Sequence, residues 1–135
     1  MAEKLFNVGI KAIILNDNKV LILKNTKDRW EVPGGRIDKT ESIEQTLKRE
    51  LFEELPNIKN VYIHEVLNAF RLDKDIKENV SLVLVFYRVT AEFDGEPKLS
   101  HEHYEYKWAE KDEALNLVQE SWNRAIENAF ENKLK

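Results

Sequence analysis

The chain has no cysteine, three prolines, four glycines and a single methionine among its 135 residues. Without cysteine there is nothing to crosslink and no thiolate metal site. The three histidines show no pair at zinc spacing, so a zinc-type centre is disfavoured as well. Pro33, Pro56 and Pro97 stand far apart, and no proline-, glycine- or serine-rich tract or internal repeat divides the chain. No apolar run reaches membrane length and no secretory apolar segment follows Met1, so a cytoplasmic protein without a membrane partner is expected. Basic runs interleaved with aromatics are missing too. With a net charge of -4 and 34% charged residues, the chain does not present a general surface for a nucleic-acid polymer. A small anionic ligand would then need a metal to approach.

The length suits one domain, spanning residues 1–135, with a real core and no room for a second. Phe6, Val8, Ile10, Ala12 and Ile14 alternate with mostly polar neighbours, Asn16, Asp17 and Asn18 break the pattern, and residues 20–23 resume it, which predicts a hairpin. Residues 61–70 and 80–89 are rich in β-branched and aromatic side chains and predict two antiparallel strands. A turn at Asp94 and Gly95, a short strand over 104–108 and a helix over 112–118 follow. Ser121 is expected to cap a last helix that buries Trp122, Ala125, Ile126, Ala129 and Phe130, with the tail fraying from Glu131. Strands interspersed with helices predict an α/β domain whose mixed sheet is covered on both sides.

Between Gly35 and Pro56 the pattern becomes specific. Ser42 and Gln45 form a capping box, Ile43, Leu47, Leu51 and Leu55 recur every four residues, and Pro56 stops the run, so an amphipathic helix is predicted. At about 100° per residue, Glu54 lies ~40° and Glu53 ~60° round from Glu50, which places three carboxylates on one side. Such charges repel one another, and the helix C-terminus disfavours anions. A hard divalent ion, Mg²⁺ or Mn²⁺, answers that repulsion, since it takes oxygen ligands and bridges carboxylates to substrate phosphates. A solvated acidic face is the plain alternative for a glutamate cluster.

The full run is Gly35, five residues, Glu41, seven residues, then Arg49, Glu50, Leu51, Phe52, Glu53 and Glu54. It resembles the Nudix box, and the chain is similar to MutT-like members of that hydrolase superfamily. The resemblance implies an α/β/α sandwich with a mixed β-sheet, in which the box forms a loop, helix and loop. It implies metal ligation by Glu50, Glu53, Glu54 and the Gly35 carbonyl, with Trp30, Glu31, Val32, Pro33 and Gly34 as the approach to the box. A structural turn explains Gly34 equally well. Arg49 matches the box arginine, with Glu41 as the partner it holds in a fixed fork; an ordinary surface ion pair is the plain reading of the two.

Family members supply a further carboxylate from a later loop, and residues 100–103 resemble that loop. Glu102 is the first choice as metal ligand or base and Glu105 the second; Glu53 is the other candidate base. His101 and His103 are within reach of phosphate, although unperturbed surface histidines are commoner. His64, inside a strand pattern, reads as structural. Two positions depart from the family pattern. Pro56 and Asn57 follow Leu55 where the box continues with one residue and then a glycine, and Thr40 replaces the glycine often found before Glu41. Pro56 ends the helix by other means, which puts the aim of Glu54 at issue.

The activity implied is metal-dependent hydrolysis of a pyrophosphate bond in a nucleoside diphosphate linked to another moiety. A nucleotide-sensing module without hydrolysis is the alternative; such relatives lose box carboxylates, which this chain keeps. Homodimers are common in the family, and the apolar face of the last helix is a third reading as a dimer surface. The downstream proline of many ADP-ribose hydrolases and the tyrosine of dinucleoside polyphosphate hydrolases find no match, so the small-molecule nucleotide partner stays unspecified.

Overall fold

The computed structural model of the protein describes residues 3–131. Seven strands and three α-helices follow in the order β1 (Leu5–Asn16), β2 (Lys19–Asn25), β3 (Trp30–Glu31), β4 (Gly34–Arg36), α1 (Ile43–Glu54), β5 (Ile58–Arg71), β6 (Val80–Phe93), β7 (His103–Ala109), α2 (Lys111–Leu117) and α3 (Asn123–Glu131). The strands make one mixed sheet. Asp17 and Asn18 both adopt positive φ, 52° and 61°, the twist that a two-residue hairpin loop needs between β1 and β2.

Strand β1 is longer than the hairpin it was expected to form. Only Leu15 and Asn16 register with Val20 and Lys19 of β2, whereas Gly9, Ile10 and Lys11 pair antiparallel with Arg36, Gly35 and Gly34 of β4. On its other side β1 runs parallel to β6, from Leu5 opposite Val80 to Ile14 opposite Val89. Strands β5 and β6 pair antiparallel as predicted, and β7 pairs antiparallel with β2.

Alternation along β1 and β2 divides the core into two layers. Ile10, Ala12, Ile14, Leu21 and Leu23 face α1 and pack with Leu47, Leu51 and Leu55, all fully buried. Ile13, Val20, Ile22, Leu82, Leu84 and Phe86 face the other way, onto Ala114, Trp122, Ala125, Ile126 and Ala129. There Phe86 stacks with Phe70 at 6.0 Å and meets Trp122 edge-on at 5.6 Å. Helices therefore cover both faces of a mixed sheet, the α/β/α sandwich expected.

The capping box at Ser42 forms, with the Gln45 amide donating to Ser42 Oγ at 3.1 Å and the Ser42 amide donating to Gln45 Oε1 at 2.8 Å. At the other end Leu55 leaves helical angles, φ -130° and ψ 78°, as a residue before proline must. Two expectations need correction. Ser121 does not cap the last helix: residues 120–122 wind as a 3₁₀ turn that buries Trp122, and α3 starts at Asn123. Phe6 does not continue the buried alternation; it is 46% exposed and lies under the Arg71 guanidinium. Of the tail expected to fray from Glu131, Glu131 itself is the last residue of α3, and residues 132–135 lie outside the described residues.

Candidate active site

Two glycines let the sheet and the box helix meet. Gly34 has φ +145°, and a β-carbon there would stand 2.1 Å from the Ile10 carbonyl oxygen. At Gly35 the obstacle is functional: a β-carbon would stand 2.2 to 2.6 Å from the carboxylate atoms of Glu50. The backbone of β4 thus lies directly against a box carboxylate.

Arg49 organises the exposed side of the cluster. Its Nε donates to Glu41 Oε2 at 2.7 Å and its Nη2 to Glu41 Oε1 at 2.9 Å, the fork expected of this pair. Nη1 donates to Glu50 Oε1 at 2.8 Å and stands 3.6 Å from Glu53 Oε1, while Nη2 also reaches the Arg36 carbonyl. Arg49 therefore holds three glutamates and the end of β4, which an isolated surface pair does not. Its hydrogen bonds, with those from the Asp38 amide and Thr46 hydroxyl, hold the Glu41 carboxyl down at about 2, and Arg49 itself is raised.

The three box carboxylates differ sharply in environment. Glu53 is exposed, Glu50 is partly covered and Glu54 is buried. Glu54 Oε2 accepts the Gly34 amide at 3.0 Å, so the helix end aims this side chain into the sheet. Burial pushes the Glu54 carboxyl up to about 7, although the Lys11 charge and the Gly34 amide pull the other way. Burial also raises Glu50, and the charges of Glu53 and Glu102 add to that, against the pull of Arg49. Desolvated carboxylates with raised proton affinity also favour a metal cation, and oxygen donors of this kind fit a hard divalent ion such as Mg²⁺ or Mn²⁺.

Glu102 sits exposed on the turn before β7, and its charge is felt at Glu50. Glu105, also exposed, registers with Lys24 on β2, while Tyr106 and Trp108 pack into the α1-side core. His101 is exposed, and His64 makes a strand-to-strand contact with Thr90 Oγ1 at 2.9 Å.

His103 is the correction at this site: it is 4% exposed, not a surface residue. Its Nε2 lies 2.6 Å from Glu31 Oε2 and 3.8 Å from Glu54 Oε1. Burial pushes the Glu31 carboxyl up, but the His103 hydrogen bond and the Lys11 charge outweigh it and hold Glu31 below its usual range. One donor atom from each of Glu31, Glu54 and His103 falls within 4.8 Å of the others. Lys11 completes this inner group; its Nζ donates to the Val32 carbonyl at 3.2 Å and sits over the Trp122 ring. In this inner group Glu54 was expected from the box as a metal ligand, Glu31 entered only as part of the approach to the box and His103 only as a surface residue, and Lys11 carried no signal.

A cleft of about 280 Å³ opens beside this group, with Lys11, Glu31, Gly35, Arg36, Phe70 and Trp122 in its lining. Its apolar walls and few polar groups suit a flat organic group attached to phosphates held at the carboxylates.

The NUDIX domain family matches residues 5–130. An 8-oxo-dGTP diphosphatase of Buchnera aphidicola subsp. Schizaphis graminum is 33% identical over 101 residues, 71% of this chain and 71% of that one. An RNA pyrophosphohydrolase of Pelagibacter ubique is 30% identical over 82% of this chain and 80% of that one. The crystal structure of a MutT protein from Methanosarcina mazei Go1 shares the fold, with a TM-score of 0.79 at 21% identity, covering 99% of this chain and 100% of that one.

Proposed function

The chain belongs to the NUDIX domain family, and on that premise we propose that it hydrolyses a pyrophosphate bond in a nucleoside diphosphate linked to another moiety, with Mg²⁺ or Mn²⁺. The relatives described above are named for 8-oxo-dGTP and for RNA, so phosphoric-anhydride cleavage is common to them while the attached group differs. The observation that carries the reading is the Glu50 carboxylate seated against the Gly35 backbone, in the space a side chain would fill.

Glu50, Glu53 and Glu54 would hold the metal, with the Gly35 carbonyl and Glu102 as further oxygen ligands. When bound, a divalent ion supplies neutralisation of phosphate charge and acidifies water for attack. The protein's own groups do the rest. Arg49 fixes Glu50 through a 2.8 Å hydrogen bond and braces it against Glu41. Glu53, exposed and only loosely held by Arg49, is free to take the water proton, and Glu102 is the other candidate base. The cleft lined by Lys11, Phe70 and Trp122 would receive the nucleoside end.

The test is a panel of nucleoside triphosphates, dinucleoside polyphosphates and nucleotide diphosphate derivatives assayed with Mg²⁺ or Mn²⁺. Turnover of at least one compound, abolished by chelation, is expected. Full activity in excess chelator, or binding without turnover across the panel with either metal, would remove the enzymatic reading.

A further inference from the structure

His103 lies among candidate metal ligands, yet its hydrogen bonding marks it as a donor. A neutral imidazole carries one N–H. Nδ1 is buried with no partner among the described residues, and Nε2 faces the Glu31 carboxylate at 2.6 Å. A proton on Nδ1 would leave a buried donor unpaired and set the Nε2 lone pair against a carboxylate. The proton therefore belongs on Nε2, donated to Glu31. Metal ligation through Nε2 would displace it to the unpartnered nitrogen, whereas ligating histidines normally donate their other N–H to a partner.

That hydrogen bond closes a short turn. The Ser100 amide donates to the Glu54 carbonyl at 3.1 Å, tying the start of the turn to the end of α1. The His103 amide donates to the Ser100 carbonyl at 3.3 Å, and the Glu102 amide to Ser100 Oγ at 3.3 Å. The imidazole then pins the far end of the turn to Glu31 on β3. Glu102 stands between the two fastenings, exposed, and its charge contributes to raising the Glu50 carboxyl.

We propose that His103 is a positioning residue: by donating Nε2–H to Glu31 it fixes the turn of residues 100–103 against β3 and holds Glu102 toward the Glu50 side of the metal-binding cluster. The inference rests on the reading of Glu102 as a carboxylate that serves the metal.

A double-mutant cycle with Mn²⁺ as the probe tests it. Free Mn²⁺ is measured by electron paramagnetic resonance, kcat is measured alongside, and thermal melts of the metal-free proteins monitor the fold. Glu102→Gln and His103→Leu should each weaken Mn²⁺ binding by about 10-fold, and the double variant should be no weaker than either single one. His103→Gln, whose amide can donate from a similar reach, should restore most of the affinity lost in His103→Leu. Three results would overturn the proposal: losses that multiply in the double variant, unchanged Mn²⁺ affinity in His103→Leu, or failure of His103→Gln to rescue while its melt matches that of the unmodified protein. If His103→Leu does not fold, Glu31→Gln, which weakens the same hydrogen bond from the acceptor side, takes its place in the cycle. Unchanged Mn²⁺ affinity and kcat in Glu102→Gln would show instead that Glu102 does not serve the metal, and a loss in His103→Leu would then place His103 on another route.

Discussion

Glu50 and Gly35 occupy complementary space: the carboxylate of one stands where the other would carry a β-carbon. The glycine is therefore required by a side chain 15 positions further along the chain, and not by its own backbone angles, in contrast to Gly34.

Gly35→Ala is expected to push the Glu50 carboxylate aside while the β4 ladder survives. Turnover should fall by roughly 10²-fold, the scale that a displacement of about 1 Å produces at a reacting centre. Steady-state kinetics at saturating Mn²⁺, with a thermal melt as control, provide the check, and near-unmodified turnover would mean that Glu50 is not held for chemistry.

Glu53→Gln is nearly isosteric and removes the charge of a side chain that is already exposed, so the fold should not respond. A loss of roughly 10²-fold or more in kcat is expected for a metal ligand or general base. An intact melt with unmodified kinetics would deny Glu53 either part.

Glu102 and Glu105 are both exposed, but only the charge of Glu102 is felt at Glu50, while Glu105 stands opposite Lys24. Glu102→Gln should lower kcat by roughly 10-fold or more and Glu105→Gln should change it little. The reverse ranking at saturating metal would move the accessory part to Glu105.

Glu41 gives the acid limb of the stability profile a recognisable contribution. Its carboxyl is lowered from an ordinary 4.5 to about 2, chiefly by the Arg49 hydrogen bonds. The folded state thus binds this proton less readily than the unfolded chain, so the associated stability is present above pH 4.5 and is lost as the pH falls toward 2. Denaturant titrations across that window should show a shallower loss in Glu41→Gln, which starts from a lower stability; parallel curves would show that the pair is not coupled to folding.

What the sequence disclosed depended on how local its signals were. Ser42 with Gln45, the four-residue recurrence of leucine and the Asp17–Asn18 turn are encoded within a few positions, and each formed as expected. The parallel pairing of β1 with β6 has no such code, because alternation in β1 reports buried faces and not the strand that lies alongside. The Arg49 fork onto Glu41 was legible from the box spacing, with two helical turns bringing them together. Glu31 and His103 stand 72 positions apart, and their contact exists only because β3 and β7 flank β2. No pattern around His103 distinguishes a buried imidazole from a solvated one. Ser121 was misread because its neighbour Trp122 is drawn into the core, which winds the chain as a 3₁₀ turn where a cap was expected.

Ending α1 with Pro56 leaves the Glu54 carbonyl to be met from outside, and the Ser100 amide meets it. The box therefore does not finish itself: its last residue is secured by a segment that arrives 46 positions later. In kinetic terms, α1 can form early from local contacts, but the carboxylate cluster matures only once β7 has docked against β2. Conversely, transient release of a four-residue turn would disarm the cluster while both apolar layers stay packed, so loss of competence on heating should precede loss of the sandwich.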